Sequence, residues 1–188
     1  MAQISGGDIR KGVTFKYKSG TYMVTEFQHV KPGKGAAFIR TTLKNVVTGQ
    51  VLSDETFKPN DSLELAEVIT KQMTYSYSDG EFYVFMDDEW NQVNLTYDLV
   101  EDALKYIKEN DTVTVKFLDD KPFSVEPENF VELKIIEAEP GVKGNTATNA
   151  MKNAKVETGA VVQVPMFVEE GETIRIDTRT GEYMSRVK

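Results

Sequence analysis

Thr21–Leu43 reads TYMVTEFQHVKPGKGAAFIRTTL, and the interpretation of this stretch decides the fold. Thr21–Val30 sets Tyr22 and Val24 on one parity, and Ala37–Leu43 is a second extended run, so both flanks read as strands. Lys31-Pro32-Gly33-Lys34-Gly35 is then the tip of a hairpin. Pro32 suits the second position of a type II turn because its φ is already set, and Gly33 suits the positive-φ third position that a side chain resists. Gly35 frees the backbone on the other side of Lys34, so one lysine projects from a loop with no apolar anchor. In isolation such a turn is simply solvated. It is not a nucleotide-binding P-loop, because Gly35 follows Lys34 and no helix begins there.

Outward from this hairpin the chain stays extended. Val13–Lys18 alternates Val13, Phe15 and Tyr17 with polar neighbours, and Ser19-Gly20 turns it into Thr21–Val30. Val46-Val47 and Val51-Leu52 flank Thr48-Gly49-Gln50 as a short hairpin, and Lys58-Pro59-Asn60-Asp61 breaks the pattern. Five short strands without a helix predict a small SH3-like, KOW-like barrel over residues 1–64.

Residues 65–127 read differently. Met73–Tyr77, Glu81–Met86 and Val93–Leu95 are strand-like. Val100, Ala103, Leu104 and Ile107 then fall at helical spacing, with Asp98, Glu101 and Asp102 in the first turns and Asn110-Asp111 at the end. Thr112–Phe117 and Phe123–Val125 follow. Three strands, a helix and two strands is the order of an OB barrel. Residues 128–188 resume with Phe130–Glu137, cross a small-residue loop at Gly141–Thr148, and continue through Ala160–Val168, Thr173–Asp177 and Glu182–Arg186. A second OB barrel is expected there. The whole is an all-β chain of three small barrels in a row.

Charge is distributed unevenly. The net value is −8, but residues 1–64 carry +3, residues 65–128 carry −10 and residues 129–188 carry −1. Contact with a polyanion at the lysine end is allowed, though not through a bulk field. The absence of cysteine excludes disulfides, thiolate ligands and a cysteine nucleophile, and suits a reducing cytoplasm. No apolar run reaches the ~20 residues of a membrane span, and Met1–Asp8 lacks the basic and apolar regions of a signal peptide. His29 is the single histidine, which rules out a two-histidine metal site and most triads. The acidic runs Asp87-Asp88-Glu89 and Asp119-Asp120 lack calcium-loop spacing and read as solvated turns. The aromatics Tyr75, Tyr77, Phe82, Tyr83, Phe85 and Trp90 read as core packing more than as base-stacking platforms. Gly141–Thr148 offers backbone N–H groups and hydroxyls without carboxylates, a donor set suited to RNA.

Three stretches together resemble the bacterial elongation factor P family: Lys31–Phe38, Gly144–Thr148, and Thr158–Pro165 continuing through Gly171 to Asp177–Tyr183. Their order and separations cover essentially the full chain. The resemblance implies a bent, elongated, tRNA-like arrangement of one SH3-like and two OB barrels. It implies a non-enzymatic translation factor that binds the 70S ribosome between the peptidyl and exit tRNA sites and relieves stalling at consecutive prolines. Lys34 matches the family's modified lysine, reaching toward the CCA end of peptidyl-tRNA beside ribosomal RNA, with Lys31, Pro32, Gly33, Gly35 and Ala36 shaping the tip. Gly144, Asn145 and Thr146 match a loop near the exit-site codon, and Tyr183 and Arg186 lie on a strand expected to face tRNA or the small subunit. No metal or cofactor is implied. The covalent extension on lysine is of β-lysyl or aminopentanol type, and a lysine-modifying enzyme supplies it. A cytoplasmic monomer without membrane contact is expected. The competing readings are a general RNA-binding three-barrel protein, or a paralogue of the family with another role in translation.

Overall fold

The computed structural model describes residues 2–140 and 150–187. By compactness the chain falls into two units, Met1–Ile69 with Lys116–Phe123, and Thr70–Val115 with Ser124–Lys188.

The N-terminal strands are β1 (Gln3–Ser5), β2 (Thr14–Tyr17), β3 (Gly20–Val30), β4 (Phe38–Asn45), β5 (Val51–Phe57) and β6 (Ser62–Glu64), with a 3₁₀ turn at Gly6–Asp8. β2 to β5 form a four-stranded antiparallel meander, and β1 pairs with β6 as a separate ribbon. Ile9, Phe15, Val24, Ile39, Leu43 and Phe57 make the core, with Phe15 meeting Phe57 edge-on at 5.6 Å between ring centres. The 3₁₀ turn lies so close to the Lys58–Asp61 break that a Cβ on Gly6 would come within 2.1 Å of the Lys58 carbonyl oxygen. That contact requires glycine, and the Gly6 N–H uses it to donate to the Asp61 carbonyl at 2.7 Å.

Val46 and Val47 are not strand residues. The Asn45 side-chain oxygen accepts from the N–H groups of both Val47 and Thr48 at 2.9 Å, which folds them into the turn ahead of β5. Asn45 thereby wins over the β-propensity of two valines.

The central sheet contains β7 (Ile69–Ser78), β8 (Tyr83–Met86), β9 (Gln92–Leu95), β10 (Thr112–Leu118) and β11 (Lys121–Pro127), in the order β11-β10-β7-β8-β9. Between β9 and β10 lies α1 (Tyr97–Leu104). It stops earlier than its apolar spacing predicts. The N–H groups of Tyr106 and Ile107 both reach the Ala103 carbonyl, at 2.9 and 3.1 Å, so the last turn tightens and Ile107 is buried from outside the helix. Phe85 and Tyr75 are buried as expected, but Trp90 is 81% exposed at the β8–β9 turn, so it is not a core residue.

The last sheet contains β12 (Phe130–Ala138), β13 (Met151–Val156), β14 (Val161–Pro165), β15 (Thr173–Asp177) and β16 (Glu182–Val187), in the order β14-β13-β12-β15-β16. Numbered from its own first strand it runs 3-2-1-4-5, and the central sheet read from its other end runs the same way. Both are therefore OB arrangements, and they differ in that only the central one inserts a helix between its third and fourth strands. The sequence pattern does not reveal β13. Its inward positions are Lys152, Ala154 and Val156, and a buried lysine in place of an apolar residue hides the period of two. Within the second unit the Thr158 hydroxyl donates to the Lys105 carbonyl at 2.6 Å, and the Lys108 ammonium sits 3.2 Å from Glu157 Oε1. These bonds fix the segment after α1 against the last barrel.

Candidate nucleic-acid interface

The outer half of β3 is an arm. Up to Val24 its inward residues are Tyr22 and Val24, but the register slips between Val24 and Glu26. A β-bulge there exchanges the two faces, so Phe27 and His29, on the opposite parity, now lie on the inward side. They pair with Thr41 and Ile39 of β4, which are buried under β5. β2 pairs with β3 only as far as Met23, so β3 beyond the bulge is an edge and its residues Glu26–His29 are exposed.

At the end of the arm, Val30 pairs with Phe38 and the seven residues Lys31–Ala37 close the hairpin. Lys31 to Ala36 are all exposed. The left-handed φ falls at Gly35, at +114°, and Gly33 is outside that region. The type II turn expected at Pro32-Gly33 is therefore replaced by a wider loop whose conformational demand lies after Lys34, not before it. A Cβ at Gly35 would stand 3.7 Å from Pro32 Cγ, ordinary contact, so backbone conformation and not space calls for glycine. Among the described residues Lys34 makes no recorded hydrogen bond or ion pair. By contrast Lys16 and Lys18 are held by Glu64 and Glu55 at 2.5 and 2.8 Å.

The flank of the arm carries a cluster that sequence reasoning missed. The Arg10 guanidinium lies 5.6 Å from the centre of the Phe27 ring, and its Nη1 donates to the carbonyls of Ile9 and Gly7 at 2.6 and 3.2 Å. The same Nη1 is 3.4 Å from His29 Nε2, and Phe27 meets His29 edge-on at 5.8 Å. A basic residue between two glycines and a strand gave no local signal, because its partners lie on β3.

Gly144, Asn145 and Thr146 lie outside the described residues. Tyr183 and Arg186 are three apart on β16, but the register slips between them, so they pair with Ile176 and Ile174 and lie on one side of the sheet. Tyr183 is half-buried against the last core, whereas Arg186 is held 3.1 Å from Glu172 Oε1 and stacked on Phe167 at 5.0 Å. A second cationic cluster lies on β12 and β15, where Phe130 sits between Arg175 and Arg179 at 4.9 and 5.2 Å. Arg179 Nε and Nη2 donate to the two Asp177 carboxylate oxygens at 2.9 and 2.7 Å, which holds that carboxyl below its ordinary value. The arginines flank Asp177 by two residues on each side, a spacing that could have exposed the cluster. A cavity of about 620 Å³ on the central barrel is edged by Lys71 and the Asp87-Asp88-Glu89 turn. Among the described residues no group of histidine, aspartate and glutamate side chains could hold a metal ion.

A KOW-like barrel bearing a lysine arm, followed by two OB barrels, defines a multi-barrel β-protein of the RNA-facing kind. Family models match along the chain: the elongation factor P KOW-like domain over residues 5–63, its OB domain over 68–125 and its C-terminal domain over 131–186. Elongation factor P of Alkaliphilus oremlandii is 60% identical over 185 residues, which is 98% of this chain and all of that protein. The Clostridium perfringens protein of the same name is 61% identical with the same coverage. Among solved structures, translation initiation factor 5A from Methanococcus jannaschii matches 66% of this chain and 95% of that one, at 14% identity and a TM-score of 0.42. The chain belongs to the elongation factor P family, and it is a translation elongation factor rather than a classical enzyme. Ribosome and tRNA interaction comes with that family.

Proposed function

We propose that the protein binds the 70S ribosome between the peptidyl and exit tRNA sites and places Lys34 beside the CCA end of peptidyl-tRNA. Lys31, Pro32, Gly33, Gly35 and Ala36 shape the tip. One observation carries this: Lys34 is exposed at the end of an arm rooted in the core, without a partner among the described residues, and is followed by a glycine in a left-handed conformation. Proline reacts poorly because its ring restricts the geometry of attack. A factor that holds the peptidyl-tRNA end in place lowers the entropic part of that barrier without supplying an acid or base.

The exposed ε-amine is also open to a separate lysine-modifying enzyme, which adds an extension of β-lysyl or aminopentanol type and lengthens the reach of the arm. Gly144, Asn145 and Thr146 would meet the exit-site codon, and Tyr183 and Arg186 the tRNA or small subunit. The factor acts as a monomer in the cytoplasm. No helix among the described residues is long and apolar enough to cross a membrane.

The absence of native cysteine gives a direct test. Lys34→Cys carries a single tethered hydroxyl-radical probe on otherwise unchanged protein. With the factor on ribosomes holding peptidyl-tRNA, cleavage is expected at the 3′ end of that tRNA and in the adjoining ribosomal RNA. Cleavage confined to other regions of the ribosome would refute the placement.

A further inference from the structure

We propose that Arg10 is the positioning residue of the Lys34 arm, a strut that ties the exposed half of β3 to the 3₁₀ turn at the barrel's edge. The proposal rests on the reading of Lys34 as the working residue. Beyond the bulge β3 has a strand neighbour on one side only, and its inward residues Phe27 and His29 have left the core. An edge of this kind, ending in a seven-residue loop, is free to bend and twist about its root at Ile39. Arg10 opposes that motion. Its guanidinium reaches two carbonyls of the turn, Gly7 and Ile9, while its face lies over Phe27 and its edge meets His29.

The turn itself is a firm anchor, because Gly6 is packed on the Lys58 carbonyl and donates to Asp61. Guanidinium chemistry suits this task. It offers several donors in a fixed plane and a face that stacks on an aromatic ring, whereas an ammonium offers only point-charge donation. Arginine can only donate, so its contact with His29 Nε2 is a hydrogen bond when that nitrogen carries its lone pair. Among the described residues no carboxylate forms an ion pair with Arg10, so its charge is spent on carbonyl oxygens, the ring face and the imidazole. Loosening the strut spreads Lys34 over many positions and lowers the fraction in the productive one. That is a loss in the rate of the bound state and not in affinity for the ribosome.

The test uses full-length protein in two measurements. The first is backbone ¹⁵N relaxation of residues 27–38. The second is the rate of proline–proline bond formation on ribosomes as factor concentration is varied. Arg10→Ala is expected to lower the order parameters of the arm and the rate at saturating factor by about threefold, with the half-saturating concentration and its salt dependence unchanged. Phe27→Leu should reproduce both effects, and the double variant should be no worse than either single one. Arg10→Lys should recover part of the rate through its bonds to the turn carbonyls. If Arg10→Ala proves poorly folded, Phe27→Leu and Arg10→Lys carry the comparison.

An arm as ordered in Arg10→Ala and Phe27→Leu as in the parent protein would overturn the strut. So would a raised half-saturating concentration with a salt slope smaller by about one, which marks a direct phosphate contact. If instead Lys34→Ala leaves the rate untouched, the functional reading fails, while the relaxation data still decide whether Arg10 orders the arm.

Discussion

Phe27 and Thr41 face each other across β3 and β4 on the same side of the sheet, yet Thr41 is 2% exposed and Phe27 is 36% exposed. The core ends within one rung. Thr41 is covered because β5 runs on its other side, where its hydroxyl donates to the Glu55 carbonyl at 3.0 Å. Phe27 has no such neighbour, since β2 stops earlier. The arm that carries Lys34 is therefore held mainly through β4, and Ile39, 1% exposed, is its last buried anchor.

Truncating that anchor measures how strongly the arm is rooted. Ile39→Ala is expected to cost about 2–5 kcal/mol in urea unfolding, from lost transfer energy and the cavity left behind. Thr41→Val, which removes a hydroxyl and leaves the Glu55 carbonyl without that donor, is expected to cost about 1 kcal/mol. Equal effects would mean that the core does not end where the burial pattern places it.

The loop makes opposite demands on its two glycines. Gly35→Ala forces a side chain into φ near +114° and is expected to remodel the tip, lowering the rate at proline runs with little change in global unfolding. Gly33 has open space around it and no left-handed φ, so Gly33→Ala should lower the rate less than Gly35→Ala. A translation rate that falls more with Gly33→Ala than with Gly35→Ala would contradict the loop geometry.

Much of this was legible in the sequence. Period-two alternation locates β2, β3 and β12, and the order of three strands, helix and two strands marks the central OB barrel. The parity of Tyr22 and Val24 could not be extended along β3, because the bulge after Val24 reverses the faces and nothing in Thr25-Glu26 announces it. β13 was hidden by buried Lys152, and Val46-Val47 looked like strand because the Asn45 turn that captures them depends on a side-chain oxygen. The tip lysine was visible, but its setting was not. The placement of φ at Gly35 depends on the loop as a whole, and Arg10 joins Phe27 only after the chain has folded back on itself.

Acid should weaken the last barrel through carboxylates held below their ordinary values, Glu157, Glu172 and Asp177 among them. Glu157 is held below its ordinary value of 4.5, first by the Lys134 backbone N–H and then by Lys108. Glu172 is likewise lowered, first by the Glu169 backbone N–H and then by Arg186, and Asp177 is lowered by the Arg179 guanidinium. A carboxyl whose folded value is depressed binds fewer protons folded than unfolded. Its contribution is complete above the unfolded value and is lost as pH falls through the folded one. The thermal midpoint should therefore be flat from neutrality down to the ordinary carboxylate range and fall below it. Glu157→Gln should make that fall shallower. A midpoint that declines between pH 8 and 6 would point to groups other than these.

The central claim concerns Lys34, and the most direct measurement is the rate of peptide-bond formation on a template with consecutive prolines. It compares the factor purified from its own host with Lys34→Ala, using a proline-free template as control. The account predicts that the parent factor accelerates the proline template alone, and that Lys34→Ala loses most of this acceleration while keeping the parent's unfolding midpoint. Equal acceleration by Lys34→Ala and the parent would contradict it.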